Sequence, residues 1–309
     1  MNGWAASGEP AASIAHMATV LTAGSGAILL LITALALLAM RSHRHARSPR
    51  GWIIGGGVLF PGIVLIALFA WTVAQTRQQE AALASSDGEL VVGVTGHQWW
   101  WALRYRDPAG GPEIEAANEL HLPVGRTIHL ALTSADVIHS AWLPALAGKV
   151  DLLPGRITHL RLRIERPGVY RGACAEFCGE QHARMPLLVV AHENAAFDAW
   201  LARQREEAAA ATTALQQRGR ALFMASGCSA CHTVRSRDAA RAPLLTRAPD
   251  LTHVGSRSAI AGTLPNTPAH LADWIARAQE NKPGARMASY GHLDADSREA
   301  LAAYLTGLK

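Results

Sequence analysis

Four side chains that bind soft metals are concentrated in residues 174–185 of this chain. Cys174 and Cys178 form a Cys-x-x-x-Cys pair, and His182 and Met185 follow within the same stretch. Thiolate and thioether sulfur are soft ligands and imidazole is intermediate, so the mixture favours copper over calcium, magnesium or an all-thiolate iron–sulfur cluster. Two thiolates at this spacing can bridge a pair of copper ions. The pair then needs one more imidazole from elsewhere in the sequence.

His139 is the best source of that imidazole. It follows a predicted strand and precedes Pro144, which places it on a loop at one end of a β-sandwich, where a rigid scaffold can position ligands. A loop histidine bonded to water is the alternative. Three further histidines lie on predicted sheet faces, and we expect them to be packed or solvent-facing rather than ligands: His121, His129 and His159.

A second motif with redox chemistry occupies residues 227–232. Cys228, Cys231 and His232 form Cys-x-x-Cys-His, the attachment motif of c-type haem, in which the cysteines hold the porphyrin and the histidine ligates iron. A thioredoxin-like pair is the competing interpretation, but it needs a βαβ context, whereas an apolar helix from Leu215 to Ala225 leads into this motif. Plain disulfides are the other alternative for both cysteine pairs. They would leave the neighbouring histidine and methionine side chains unexplained.

The segments around the haem motif resemble a small class I cytochrome c. By that resemblance Met287, in a loop, is the second axial ligand of the haem, and core packing is its alternative role. Met224 lies too close to the motif in sequence to reach the opposite haem face. A helix is predicted to start near Pro268, and Asp296 is expected to cap the last helix. The rival axial ligands are His253, His270 and His292.

Two long apolar runs precede both motifs. Val20–Met40 and Trp52–Val73 carry no charged residue, and each would form a helix of about 30 Å, the thickness of a bilayer core. A neighbouring helix can compensate for Pro61 in the second run. The sequence therefore predicts a transmembrane hairpin with helices at about 20–40 and 52–74.

The loop between these runs sets the orientation of the hairpin. Residues 41–50 are rich in arginine, which places the loop in the cytoplasm by the positive-inside rule. A cleaved signal peptide is the alternative for the first run, but that run is longer than a signal core and no positive charge precedes it. We predict a two-pass protein of the bacterial inner membrane, with both termini and both redox domains on the periplasmic side. His43 and His45 would belong to the solvated basic loop.

Residues 89–190 alternate between apolar and polar side chains in short segments that glycine and proline interrupt. This period of two indicates a β-sandwich or barrel. Three consecutive indoles, Trp99 to Trp101, cannot all point into such a core. The predicted strands include Leu90–Thr95, Thr127–Leu132, Ile157–Ile164 and Pro186–Ala191.

Taken together and in this order, the motifs resemble subunit II of haem–copper cytochrome c oxidases, which carries the binuclear copper centre CuA. The resemblance covers residues from about 15 to 200. It depends on the hairpin, on the copper segment and on three more motifs, which are Gly96–Trp101, Asp136–His139 and Gly148–Arg156.

That resemblance implies a role for each candidate residue of the copper centre. Cys174 and Cys178 bridge the coppers, the carboxylate of Glu176 reaches a magnesium or manganese ion shared with subunit I, and Trp99 is the aromatic through which electrons enter. The remaining copper ligands implied are His139, His182, Met185 and the backbone carbonyl of Glu176.

The predicted fold class is multidomain: a transmembrane hairpin, a cupredoxin-like β-sandwich and a small all-α class I cytochrome c domain. The boundaries are 1–79 for the hairpin, 80–195 for the copper domain, 196–216 for a helical linker and 217–309 for the cytochrome domain. Acidic residues outnumber basic ones between 80 and 200 and the reverse holds beyond 201, which favours docking of the two domains. The net charge of +5 needs no nucleic-acid partner to explain it.

The implied function is that of a caa3-type terminal oxidase, in which this subunit passes electrons from cytochrome c or another respiratory donor through haem c to CuA. Subunit I, with subunit III as a further expected partner, would reduce oxygen to water and pump protons. The alternatives are the equivalent subunit of a CuA-containing nitric oxide reductase and a membrane-tethered copper or electron carrier. One departure is that residues 11–79 contain no Asp or Glu, although many family members carry a glutamate near the start of the second helix.

Overall fold

The computed structural model describes residues 6–41, 49–82, 89–106, 113–236 and 248–309. It has two helical segments that are long and apolar enough to cross a membrane. Most of the basic loop, with His43 and His45, lies outside the described residues. The first segment is α1 (Glu9–Arg41), and the second consists of α2 (Pro49–Ile54), a π-helical turn (Gly55–Leu59) and α3 (Phe60–Ala82).

Helix α1 begins earlier than the apolar run predicts, and the residues just before it contact the β-sandwich. The Ser7 amide donates a hydrogen bond of 2.7 Å to the Ala145 carbonyl, and the Glu165 amide donates one of 2.9 Å to the Ser7 carbonyl. Gly8 lies so close to the sandwich that a Cβ there would be 2.2 Å from the Leu146 carbonyl oxygen. The N-terminal end of α1 and the sandwich are therefore on the same side of the hairpin.

Two five-stranded sheets form the middle domain, in the strand orders β3-β2-β1-β5-β8 and β4-β10-β9-β6-β7. Most neighbouring strands are antiparallel, and the pairs β1 with β5 and β4 with β10 are parallel. The strands are β1 (Leu90–His97), β2 (Trp100–Tyr105), β3 (Ile114–Ala117), β4 (Glu119–Pro123), β5 (Thr127–Ser134), β6 (His139–Trp142), β7 (Lys149–Leu152), β8 (Thr158–Arg163), β9 (Gly168–Cys174) and β10 (Pro186–His192).

The alternating pattern of the sequence corresponds to the two faces of these strands. Leu160 and Leu162 of β8 are buried, whereas His159 and Arg161, which alternate with them, are exposed. The inward-facing side chains of both sheets form one apolar core, and its largest members with less than 2% exposure include Trp101, Tyr105, Leu120, Leu130 and Leu143. The prediction of a cupredoxin-like sandwich is confirmed.

Helix α4 (Asn194–Arg205) packs on this sandwich, so only part of the predicted linker 196–216 connects domains. Phe197, Trp200 and Leu201 are buried in the same apolar core as the strands. Residues 206–213 contain no helix and lead into the third domain.

The third domain is helical, as predicted, with a two-stranded β-ribbon. Its elements are α5 (Ala214–Ala225), β11 (Ala259–Ile260), β12 (Leu264–Pro265), α6 (Pro268–Ala276), α7 (Ala278–Asn281) and α8 (Ala295–Gly307). Leu301, Tyr304 and Leu305 lie on one face of α8 and are buried.

The predicted cap of α8 is wrong by two residues. Asp294, not Asp296, is the N-cap, and its carboxylate accepts a hydrogen bond of 2.7 Å from the Ser297 amide. Asp296 lies in the first turn, where a negative charge still interacts favourably with the helix dipole. Helix α6 starts at Pro268 as predicted, with Thr267 as its N-cap.

Helices α5 and α8 approach each other closely at Gly219. A Cβ at this position would lie 1.9 Å from the Ala300 carbonyl oxygen, a backbone atom that cannot move aside without displacing α8. Gly291 offers a matched site in the same domain, because a Cβ there would be 3.5 Å from the nearest atom, an ordinary contact.

Gly219→Ala should therefore destabilise the cytochrome domain by about 1–3 kcal/mol, the range for inserting an atom into a packed contact. Gly291→Ala should leave its stability within about 0.5 kcal/mol. Denaturant titrations of the haem-loaded protein, followed by the haem absorbance, measure both. Equal midpoints for the two variants would contradict the proposed close approach of the helices.

Candidate metal centres

Strand pairing brings the candidate copper ligands together from distant parts of the sequence. Strand β6 pairs with β9 so that Ala141 lies opposite Cys174. His139, two residues before Ala141, is fully buried and starts β6. The prediction that His139 lies on a loop is thus wrong by a small margin, since the residue begins a strand at the end of the sandwich.

The donor atoms of the copper segment lie within contact distance of one another. The Cys174 and Cys178 sulfurs are 3.8 Å apart, and the His139 Nδ1 is 3.8 Å from the Cys174 Sγ. Around Cys178, the Sγ is 3.6 Å from the His182 Nδ1 and 3.9 Å from the Met185 Sδ. The sequence prediction placed all five side chains in one site, and the structure brings them together.

These separations fit donors that share metal ions. Two donors bonded to one ion at about 2.0–2.3 Å lie roughly 3.3–4 Å apart. The Glu176 carbonyl oxygen, 3.2 Å from the Cys174 Sγ, is close enough to complete the set. Two thiols, two imidazoles, a thioether and a carbonyl form a soft, nitrogen-containing donor set, which suits copper.

The two thiols of the site differ strongly in acidity. Burial disfavours the Cys174 thiolate, but hydrogen bonds from His139 and from backbone amides outweigh burial and lower its pKa from 9.0 to about 6. For Cys178, burial and the neighbouring Cys174 charge both act in the same direction and raise its pKa to about 12. The two pKa values are thus shifted in opposite directions, and a bound cation would favour loss of the second proton.

His139 is oriented by a carboxylate behind it. Its Nε2 is 2.8 Å from the Asp136 Oδ1, which leaves Nδ1 facing the sulfurs. Asp136 in turn accepts a hydrogen bond of 2.9 Å from the Gln98 amide. Such outer partners fix the ring orientation of a ligating histidine.

The backbone of β1 also makes room for this ring. Gly96 lies beside His139, and a Cβ at Gly96 would be 2.7 Å from the Cδ2 atom of the imidazole. Sequence reasoning quoted the motifs that contain Gly96 and Asp136 but missed what these residues do. The short spacing between Asp136 and His139 was a signal that the carboxylate could bind the imidazole. No such signal existed for Gly96, because only the fold shows that it lies beside His139.

Trp99 is linked directly to the copper segment. Its indole N–H donates a hydrogen bond of 2.9 Å to the Cys178 carbonyl, which accepts a second one of 2.8 Å from the Gln98 side chain. Gly179 follows with a φ of +113°, and a Cβ there would be 3.1 Å from the Trp99 ring. The turn that carries Cys178 is therefore fixed through its backbone.

The three consecutive indoles point in different directions, as the sequence requires. Trp101 is fully buried in the sandwich core, whereas Trp100 stacks on His97 with ring centroids 4.4 Å apart. Trp99 is partly buried against the core and the copper turn.

The sheet-face histidines make other contacts. His121 and His192 are 2.8 Å apart between ring nitrogens, and His129 and His159 form a similar pair at 2.8 Å. Sequence reasoning did not foresee this pairing, because it depends on which strands are neighbours.

The haem motif in the cytochrome domain presents its histidine in a defined orientation. The Nδ1 of His232 lies 2.8 Å from the Pro249 carbonyl oxygen, which can only accept, so Nδ1 carries the proton and Nε2 is the available ligand atom. Cys228 and Cys231 are both free thiols, the first half-buried and the second exposed. Two thiols beside an oriented imidazole fit covalent haem attachment.

Met287 and Cys228 pack against the same apolar cluster, together with Tyr290 and Leu293. The rival ligands have other partners. His253 Nε2 lies 3.2 Å from the Glu206 carbonyl, and His270 Nδ1 lies 2.7 Å from the Thr267 hydroxyl. Met224, half-exposed on α5, is not part of the cluster.

Comparison with known proteins agrees with this division of the chain. Residues 108–192 match the family described as cytochrome c oxidase subunit II, periplasmic domain, and residues 216–309 match the cytochrome c family.

Two curated relatives extend over most of the chain. Cytochrome c oxidase subunit 2 of Alkalihalophilus pseudofirmus is 35% identical over 254 residues, which cover 81% of this chain and 71% of the relative. The same subunit of Bacillus sp. strain PS3 is 33% identical over 264 residues, with 81% and 72% covered. Among solved structures, the periplasmic domain of cytochrome oxidase subunit II of Bradyrhizobium japonicum is 32% identical, covers 40% of this chain and 96% of that domain, and has a TM-score of 0.37.

Fold and site together define a membrane-anchored redox protein with a copper-binding sandwich and a c-type cytochrome. The extent of the match to the curated relatives then decides the family. The chain belongs to the cytochrome c oxidase subunit 2 family and carries a C-terminal cytochrome c domain, as part of a haem–copper terminal oxidase.

Gly96→Ala should weaken copper binding by roughly 10–100-fold, the range for residues that hold a ligand in place, because the new methyl group displaces the His139 ring. Gly93→Ala on the same strand is the matched control, since its Cβ would lie 3.7 Å from the nearest atom. Titration with a competing chelator, read by the copper absorbance, gives both affinities. Wild-type affinity in Gly96→Ala would show that this glycine does not position the ligand.

Proposed function

We propose that this chain is the electron-accepting subunit of a caa3-type oxidase. It receives electrons from cytochrome c or another respiratory donor in its cytochrome domain and delivers them through the copper domain to subunit I. Reduction of oxygen to water and proton pumping take place in that partner. Because residues 11–79 contain no Asp or Glu, either protons enter through another subunit or this type of oxidase does without the entrance that the family glutamate provides.

The residues that would hold the redox groups are those of the two sites. Haem would be held by Cys228, Cys231, His232 and Met287, and a pair of coppers by His139, Cys174, Cys178, His182, Met185 and the Glu176 carbonyl. When bound, these groups supply one-electron centres whose potentials depend on axial ligands and on the hydrogen bonds around sulfur.

Trp99 carries the proposal, because it contacts both domains. Its indole N–H bonds to the Cys178 carbonyl in the copper turn, and its own carbonyl accepts a hydrogen bond of 2.7 Å from the Lys282 ammonium group in the cytochrome domain. Lys282 lies in the loop that leads to Met287. A single residue thus connects the loop of the proposed haem ligand with the turn of the copper ligands.

Two exposed residues of the copper turn support contact with subunit I. Phe177 is 77% exposed, unusually high for a large apolar side chain beside a buried site. The neighbouring Glu176 carboxylate is 3.8 Å from the Lys149 ammonium group, and both side chains are about half exposed. We infer that this carboxylate reaches a magnesium or manganese ion shared with subunit I.

The orientation follows from the hairpin. The residues before α1 touch the sandwich, and α3 leads back to β1, so both ends of the hairpin lie on the sandwich side. With the basic loop in the cytoplasm, both redox domains lie on the periplasmic side of the bacterial inner membrane.

The purified complex with its haem–copper partner tests the proposed function. Supplied with an ascorbate-reduced soluble cytochrome c, it should consume oxygen, and cyanide should stop the consumption. Turnover of nitric oxide without oxygen consumption would contradict the assignment.

Trp99→Leu should slow reduction of the copper centre by the chain's own haem, because it removes the indole that lies between the Cys178 carbonyl and Gly284 of the cytochrome domain, while the backbone carbonyl that binds Lys282 remains. Trp100→Leu is the control, since that indole stacks on His97 and not on the copper turn. Flash reduction of the haem, followed by time-resolved absorbance of the haem and copper bands, measures the rate of electron transfer from haem to copper. An unchanged rate in Trp99→Leu, with the copper band intact, would exclude Trp99 as the path.

Met287→Ala should leave haem attached, since the thioethers and His232 remain, but should lower its reduction potential, because an axial methionine raises it. Met224→Ala, on the exposed side of α5, should change neither property. A redox titration of the haem band measures the potentials. Retention of the wild-type potential in Met287→Ala would refute the axial assignment.

A further inference from the structure

The cytochrome domain contacts the copper domain through buried charged groups. Lys282 is only 6% exposed, and its ammonium group donates to the carbonyls of Trp99 at 2.7 Å and Ala261 at 3.0 Å. A buried cation is costly unless polar partners satisfy it. One of its partners belongs to the copper domain, so separating the domains breaks that bond.

Glu119 makes the reciprocal contact from the copper domain. This carboxylate, also 6% exposed, accepts hydrogen bonds from the Ser258 amide at 2.8 Å, from the Ser258 hydroxyl at 2.6 Å and from the Ala259 amide at 3.1 Å. His121 Nε2 lies 3.9 Å away on the other side. All three hydrogen-bond donors belong to the cytochrome domain.

Further contacts continue the same interface around Trp99. The side chains of Gln181 and Arg184 donate to the carbonyls of Pro283 and Asn281, at 3.0 and 3.1 Å. Gly284 adopts a φ of +76° directly against the indole, where a Cβ would be 3.1 Å from the ring. The loop of residues 281–284 therefore lies over Trp99.

We propose that Lys282 and Glu119 are positioning residues that hold the cytochrome domain over Trp99, so that external electrons reach the copper turn only through that domain. The inference deepens the proposed function and rests on it. One electron leaves a soluble donor of the cytochrome c class, passes to the haem domain and then to the copper domain, and no bond is made or broken. With the loop of residues 281–284 lying over it, Trp99 is only partly exposed to a soluble donor.

The double variant Glu119→Met/Lys282→Met tests the proposal. Both substitutions keep the side-chain size but remove the acceptor and the donor. Glu280→Met/Lys309→Met is the matched control, because Glu280 is 71% exposed and Lys309 is the exposed last residue. Unchanged haem and copper spectra in the loaded complex establish that both domains remain folded.

The first readout needs no turnover. Hydrogen exchange of the Ser258 and Ala259 amides should accelerate by roughly tenfold or more in the double variant, because each lost bond to a charged group shifts the docking equilibrium by about that factor. Hydroxyl-radical labelling of Trp99 should rise severalfold, while labelling of Trp100 stays constant. The proposal would be overturned if the double variant matched the control both in hydrogen exchange at Ser258 and Ala259 and in hydroxyl-radical labelling at Trp99.

The second readout separates this proposal from the proposed function. After rapid mixing with excess reduced soluble cytochrome c, copper reduction in the wild-type complex should lag behind haem reduction. In the double variant, internal transfer should slow roughly tenfold and part of the copper should be reduced without a lag. If wild-type haem never reduces copper, the proposed function fails. If it does, and the variant keeps the wild-type lag and rate, only the positioning role fails. Should the double variant lose either spectrum, Lys282→Met alone is judged by the same two readouts.

Discussion

The turn between β9 and β10 must hold two thiols 3.8 Å apart in a buried site, and the rest of the molecule depends on that constraint. One strand of the sheet supplies Cys174, and its neighbour β6 supplies His139. The turn itself is fixed at the Cys178 carbonyl, which accepts hydrogen bonds from Gln98 and Trp99. Because these bonds hold the backbone, the donor atoms can keep one arrangement in both oxidation states of a bound metal, which favours fast electron transfer.

The same hydrogen bonds extend beyond the copper domain. The Trp99 indole binds the copper turn, and the Trp99 backbone carbonyl accepts a hydrogen bond from the Lys282 ammonium group. Lys282 begins the loop that contains Met287. A tether also raises the effective concentration of the cytochrome domain, to the order of millimolar for a short flexible linker. Specific contacts between the domains then favour one orientation among the many that a tether allows.

Much of this could be predicted from the sequence, because the side chains with redox chemistry occur in short motifs. Cys174, Cys178, His182 and Met185 are local in sequence, as are Cys228 and His232, and alternation in β8 gave its buried face. The roles of Gly96 and Glu119 could not be predicted in this way. Each acts on a residue far away in sequence, and strand neighbours and domain docking are not encoded in any local pattern. The cap of α8 could be predicted only in part. An aspartate was expected there, but Asp294 and Asp296 are equally good caps by residue type, and only the backbone conformation shows that Asp294 is the N-cap.

The spin-resonance spectrum of the oxidised, metal-loaded chain tests the central claim most directly. If Cys174 and Cys178 bridge a pair of coppers, one unpaired electron is shared, and the hyperfine pattern should be that of two equivalent copper nuclei, alongside a low-spin haem signal. A hyperfine pattern from a single copper nucleus would contradict the account. It would mean that the donor set holds one ion and that the turn between β9 and β10 does not build a binuclear centre.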